Sequence, residues 1–186
     1  AVVAFAVAVT PADKIISPEF KKIGSSVVAL ILNRDEYELP DFEQLDRNYC
    51  RINKLISDGK VLSAHTIRAG GLCETISKMC FGNNIGFKFT DNTDIDRIFA
   101  PAYGSVVLEI DHKYDPNELL DGIEYNVIGK TQSDARIDVN GEVIDLNEAL
   151  QKWKQPLDCI YPSAIKPFED VPENYYYTKR NTNKPN

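Results

Sequence analysis

Histidine, arginine and a glycine pair come together in Lys60-Val61-Leu62-Ser63-Ala64-His65-Thr66-Ile67-Arg68-Ala69-Gly70-Gly71-Leu72. The stretch reads as a short buried strand turning through the glycines into a helix. Glycines at the mouth of a helix let backbone approach a ligand closely, and the free N–H groups of the first turn favour an anion such as phosphate. His65 can carry a proton at that mouth, and Arg68 offers a fixed positive fork. Phosphate or substrate binding by His65, Thr66, Arg68, Gly70 and Gly71 is therefore the chemistry on offer. A glycine doublet that merely makes a turn fits the same spacing.

The elements around this stretch must position it. Ala1-Val2-Val3-Ala4-Phe5-Ala6-Val7-Ala8-Val9 reads as a buried strand, and because no Met stands at position 1 the chain looks like a piece of something longer. Ile15 to Lys22 reads as a short capped turn with Pro18 at a helix start. Ser25 to Leu32 is an unbroken apolar run suited to an interior strand. Asp41 caps a helix whose apolar positions Phe42, Leu45, Tyr49, Ile52 and Ile56 make a core stripe, and Asp58-Gly59 ends it. After the focal loop, Leu72, Ile76, Met79 and Cys80 share one side of a second helix that stops at Gly82-Asn83-Asn84.

Ile85 to Phe89 alternates as a strand. In Asp91-Asn92-Thr93-Asp94, Thr93 or Asp94 capping a short helix over 95–99 explains the acidic cluster better than a bound cation. Gly104 to Ile110 is a strand, Asp115-Pro116 opens a short helix, and 124–131 and 135–139 alternate with period two. Asn140-Gly141 then makes a two-residue hairpin into Glu142-Val143-Ile144, and Asp145 caps a last helix over 146–153. The implied architecture is α/β (α+β): a single mixed β-sheet with helices packed on it.

From Pro156 the composition shifts. Five of the ten prolines fall in 156–186 and no glycine follows Gly141, so residues 1–155 form the folded domain and 156–186 a proline-rich strap or linker, with Tyr175-Tyr176-Tyr177 packing against protein. The 186 residues, 43% hydrophobic and 26% charged, can bury a sizeable core. A net charge of −7 argues against nucleic acid or an anionic membrane as partner. The opening apolar run is too short to span a bilayer. Cys50, Cys73, Cys80 and Cys159 lack paired C-x-x-C spacing, and the first three fall on helical faces among apolar residues, as buried thiols of a cytoplasmic protein would. No P-loop, G-x-S-x-G, H-E-x-x-H or dinucleotide fingerprint is present.

From Ser63 through Leu72, and on through Glu74, Ile76 and Lys78-Met79-Cys80-Phe81-Gly82-Asn83-Asn84-Ile85-Gly86-Phe87, the sequence resembles the C-terminal domain shared by aminoimidazole ribonucleotide synthetase and its relatives. It is most similar to the second such domain of the large phosphoribosylformylglycinamidine synthases, where an Ala-His-Asp-x-Ser-Asp-Gly-Gly-Leu loop leads into a helix and a Phe-x-Gly-x-x-Gly turn. The likeness spans about residues 1–155. Here Thr66 and Ala69 stand where that pattern has aspartates and Arg68 where it has serine, so this loop lacks the carboxylates to hold magnesium.

The resemblance implies a parent enzyme of purine biosynthesis that uses ATP, magnesium and glutamine to convert formylglycinamide ribonucleotide to its amidine. It implies that ATP-binding and glutaminase domains of the same parent chain are partners and that the tail leads towards the glutaminase. It also implies that the phosphorylated ribonucleotide or the nucleotide lies in a cleft this domain helps to close. On its own the fragment is expected to be inactive, without a bound cofactor. The competing expectation is a degenerate scaffold copy that packs against a catalytic half and supports a structural nucleotide.

Overall fold

The computed structural model describes residues 5–162, and the chain divides into two units, 1–153 and 154–186. The Tyr175-Tyr176-Tyr177 cluster and most of the proline-rich stretch lie outside the described residues. The first unit is built on one seven-stranded sheet. Its strands are β1 (Ser26–Leu30), β2 (Val61–Thr66), β3 (Gly86–Phe89), β4 (Val106–Ile110), β5 (Asn126–Gln132), β6 (Arg136–Val139) and β7 (Glu142–Asp145), in the spatial order β2-β4-β1-β5-β3-β6-β7. All neighbours are antiparallel except β3 and β6, which makes the sheet mixed. The apolar run of β1 lies between β4 and β5 and is buried on both faces, as a continuous rather than alternating pattern requires.

Helices cover both faces. On one side α1 (Phe42–Ser57) and α4 (Pro116–Leu119) overlie Val28, Leu30, Leu108 and Ile110. On the other, α2 (Gly71–Phe81) and α3 (Ile95–Phe99) overlie Val27, Ala29, Val107 and Phe87. The second face is the more aromatic: Phe87 stacks on Phe20 at 5.8 Å and meets Phe89 edge-on at 4.8 Å. Such pairs add about 1 kcal/mol each beyond their buried area. Asn140-Gly141 takes φ of 49° and 89°, the left-handed pair that a two-residue hairpin between β6 and β7 demands.

Four local expectations are corrected. Residues 5–9 form no strand, and Phe5, Val7 and Val9 are more than nine-tenths exposed; alternation of side chains makes a strand only where a neighbour completes the backbone hydrogen bonds. Residues 18–22 form no helix, because their amides are drawn elsewhere: Phe20 N–H donates to the Met79 carbonyl (2.9 Å), and Lys21 and Lys22 N–H donate to the Glu109 carboxylate (2.9 Å each).

In α1 the inward face is Gln44, Asn48, Ile52 and Leu55, while Phe42, Tyr49 and Cys50 are exposed. The helix is rotated because the Gln44 amide is needed inside: it accepts from Asn33 N–H (2.7 Å) and donates to the Ile31 carbonyl (3.2 Å), closing the backbone groups where the chain leaves β1. Finally, α5 (Leu146–Asp158) runs past residue 153 and includes Pro156. Among the described residues no helix is long and apolar enough to cross a membrane.

Candidate functional site

β2 is an edge strand, paired on one side with β4 in the register His65–Val107 and Thr66–Val106. It delivers His65, half-buried, and Thr66, exposed, to the end of the sheet where α2 begins. Between them and the helix, Ile67 is driven into the core at 1% exposure and its N–H donates to the Ser105 carbonyl (2.9 Å). That anchor throws Arg68 and Ala69 outward. The five residues singled out by sequence are thus brought to one place, on an edge strand and the helix mouth beside it.

What the glycines do there differs from the expectation. Gly70 is the N-cap of α2, with φ −87° and ψ 10°, and its N–H donates to Glu74 Oε2 at 2.9 Å. Gly71 takes φ +66°, and its N–H donates to the Arg68 carbonyl at 3.1 Å. Both amides are therefore engaged by the protein, one by a carboxylate and one by a carbonyl. The expected phosphate cradle is corrected on this point: the anion at the mouth is the chain's own Glu74. Lys78, one turn on, holds that carboxyl below the usual glutamate range, helped by the Gly70 amide and the charge of Arg68.

The close approach that glycine permits here is backbone to backbone. A methyl group on Gly71 would lie 2.7 Å from the Ala100 carbonyl oxygen and nearer still to that of Ile98, so the pair seats α2 against the end of α3. On Gly70 it would meet only the Glu74 side chain. The His65 ring turns its Nδ1 to the Thr66 carbonyl, 2.7 Å away. That leaves the imidazole Nε2, the Thr66 hydroxyl and the Arg68 guanidinium with no hydrogen bond among the described residues.

Sequence reasoning missed the polar anchor behind the strand. Glu109, fully buried in β4, accepts from Ser63 Oγ (2.8 Å) as well as from the amides of Lys21 and Lys22. Three donors compensate the cost of burying a carboxylate. The signal was a lone acid inside the otherwise apolar Val106-Val107-Leu108-Glu109-Ile110, where a buried charge demands partners. Beyond it Asp111, 2% exposed, is met by Lys22 Nζ at 2.7 Å, His112 Nδ1 at 3.2 Å and Lys113 Nζ at 3.7 Å.

Among the described residues no three His, Cys, Asp or Glu side chains are grouped to hold a metal. The thiols are free: Cys80 is buried, Cys73 half-buried, Cys50 and Cys159 exposed. Burial corrects nothing for Cys80, but Cys50 sits on the outer side of α1 because that helix is turned about Gln44.

A mixed sheet with helices on both faces, an edge strand running into a glycine-headed helix, and a short helix braced against that head make an α/β domain whose fold is shared with solved structures of PurL. Solved structures from Thermotoga maritima share this fold. PurL in complex with FGAR matches with a TM-score of 0.57 at 11% identity, over 91% of this chain and 33% of that one. PurL in complex with ADP matches with a TM-score of 0.58 at 12% identity, over 73% and 27%. The PurLQS structure matches with a TM-score of 0.59 at 12% identity, over 74% and 28%. The chain thus spans about a third or less of the proteins it resembles. No family model matches the sequence.

Proposed function

We propose that this chain is one domain of an ATP-dependent ligase of purine biosynthesis that amidates formylglycinamide ribonucleotide with glutamine as the nitrogen source. In this reading His65, Thr66 and Arg68 line a substrate or nucleotide cleft, and Gly70 and Gly71 hold them in place. ATP-binding and glutaminase domains of a cytoplasmic parent chain would complete that cleft and supply ammonia, and magnesium would be held by those domains. The observation that carries the reading is the fold likeness to PurL, whose structures are of complexes with ADP, ATP and FGAR, combined with the His65 Nε2, the Thr66 hydroxyl and the Arg68 guanidinium at the helix mouth, which have no hydrogen bond among the described residues. Arg68 adds a fixed positive charge that suits a phosphorylated ligand.

The test is glutamine- and ammonia-dependent amidine formation by the intact parent chain carrying Arg68→Ala or His65→Ala. A fall of at least tenfold in kcat/KM for the ribonucleotide with Arg68→Ala is expected, as the loss of one charge-assisted contact predicts. Wild-type rates in both variants would remove the loop from the site.

A second reading is favoured by one observation, that Glu74 fills the anion position at the glycine pair. Here the domain is a degenerate scaffold that packs against a catalytic half and supports a structural nucleotide. The same substitutions would then lower melting temperature or assembly with no selective loss of turnover.

A further inference from the structure

A hollow opens beside α3 and the start of α2, with Leu72 and Ala100 among its lining residues. Its volume is about 390 Å³, at the small end of the range for small-molecule sites. The sheet lines it with Ala29, Phe89 and Ile128, and α3 with Ile98, so the lining is mainly apolar. Two charged residues also line it, Asp94 and Arg97, both on its exposed side.

Opposite charges three residues apart on one helix ordinarily pair. These do not: no ion pair joins them, and the Arg97 guanidinium has neither ion pair nor hydrogen bond among the described residues. Asp94 Oδ1 is drawn to the N–H groups of Asp96 (3.1 Å) and Arg97 (3.3 Å), which fixes the carboxylate at the start of the helix and leaves Oδ2 without a donor. The turn before it is pinned from the far side, where Thr93 N–H donates to Asn140 Oδ1 (2.9 Å) and Asn140 Nδ2 donates to the Thr93 carbonyl (2.7 Å). An acceptor and a planar cationic fork are thus held apart beside an apolar hollow.

We infer that this hollow is a binding site for a free apolar α-amino acid. The ligand's carboxylate would take the bidentate fork of Arg97, its ammonium would donate to Asp94 Oδ2, and its side chain would cover Phe89 and Ile128. A simple anion would leave Asp94 opposed, and a simple cation would leave Arg97 opposed; a zwitterion satisfies both. Leu72, next to Gly71, lines this hollow but His65 and Arg68 do not; the inference rests on Asp94 and Arg97, which the proposed function does not use.

Isothermal titration calorimetry of the 186-residue chain tests it with four probes: L-phenylalanine, 3-phenylpropanoate, phenethylamine and glycine. L-Phenylalanine is expected to bind, and each of the other three, lacking the ammonium, the carboxylate or the apolar body, to bind at least about tenfold more weakly. Arg97→Gln should abolish the advantage of L-phenylalanine over phenethylamine. Asp94→Asn should abolish its advantage over 3-phenylpropanoate while keeping a good cap; Asp94→Ser serves if the Asn variant melts early. Absence of L-phenylalanine binding, or binding of 3-phenylpropanoate as tight as the amino acid and indifferent to Asp94→Asn, would overturn the inference. Neither result bears on the amidation assay.

Discussion

Replacing Gly71 by alanine separates the two roles a helix-mouth glycine can have. If the glycine exists to bring backbone near a ligand, alanine should lower binding and leave stability almost unchanged. If it exists to seat α2 against α3, alanine should unfold the domain more easily without any ligand. The structure supplies the size. At φ +66° an L-residue costs about 1–2 kcal/mol over glycine. The added methyl would also lie within 2.7 Å of the Ala100 carbonyl oxygen, and relieving such overpacking costs about 1–3 kcal/mol. The sum is about 2–5 kcal/mol, or a fall in melting temperature on the order of 10 °C for a domain of this size. Gly70→Ala is the internal control. Its backbone lies at negative φ, so the left-handed cost is absent, and the methyl would press on Glu74 as far back as its Cβ, 2.6 Å away; only an overpacking loss of about 1–3 kcal/mol is expected. Gly71→Asn, which tolerates the left-handed region, should recover the backbone part of the loss but not the contact part. Urea unfolding of the chain without nucleotide reads all three. A Gly71→Ala midpoint indistinguishable from that of Gly70→Ala would refute the packing argument.

Three further outcomes follow from named contacts. Glu109→Leu strands the Lys21 and Lys22 amides and the buried Ser63 hydroxyl and should cost about 3 kcal/mol in urea unfolding, whereas Ser63→Ala should cost about 1 kcal/mol; equal losses would deny the carboxylate its central place. The Asp111 carboxyl is held below the usual aspartate range, first by Lys22 and then by the Lys113 amide. Its folded pKa is the lower one, so its contribution is present above about pH 4, the unfolded value, and is lost as pH falls through the folded value. Asp111→Asn should therefore flatten the acid limb of the urea midpoint, and an unchanged limb would refute the assignment. Under native conditions a thiol reagent should modify Cys50 and Cys159 quickly and Cys80 only on unfolding, since burial raises the Cys80 thiol far above its ordinary range; fast labelling of Cys80 would contradict the packing of α2.

Much of the fold was legible because local rules and tertiary demand agree. The hairpin at Asn140-Gly141, the Asp94 cap and the apolar face of α2 each state their structure within a few residues. The misreadings share one cause, a backbone or polar group whose partner is remote in sequence. Residues 20–22 look like a helix start until Met79 and Glu109 claim their amides from 59 to 88 positions away. Phe42 and Tyr49 look like core until Gln44 is required inside to close the exit of β1. Residues 5–9 have a strand's alternation, but no neighbour among the described residues pairs with them.

The candidate loop shows the same limit at the level of chemistry. Composition named the five residues, and the fold does gather His65, Thr66, Arg68, Gly70 and Gly71 at one helix mouth. Whether a glycine amide is available to an anion is decided elsewhere, by Glu74 four residues on and by the 98–100 backbone that Gly71 must clear. A carboxylate already bonded to the N-cap amide competes with any incoming phosphate, and releasing it also strips Lys78 of its partner. For a ligand to use the Gly70 amide it must therefore displace Glu74, while the side chains of His65, Thr66 and Arg68 are open without rearrangement. In the proposed reading, binding at this loop would therefore rest on its three polar side chains, with the glycines holding the mouth in shape.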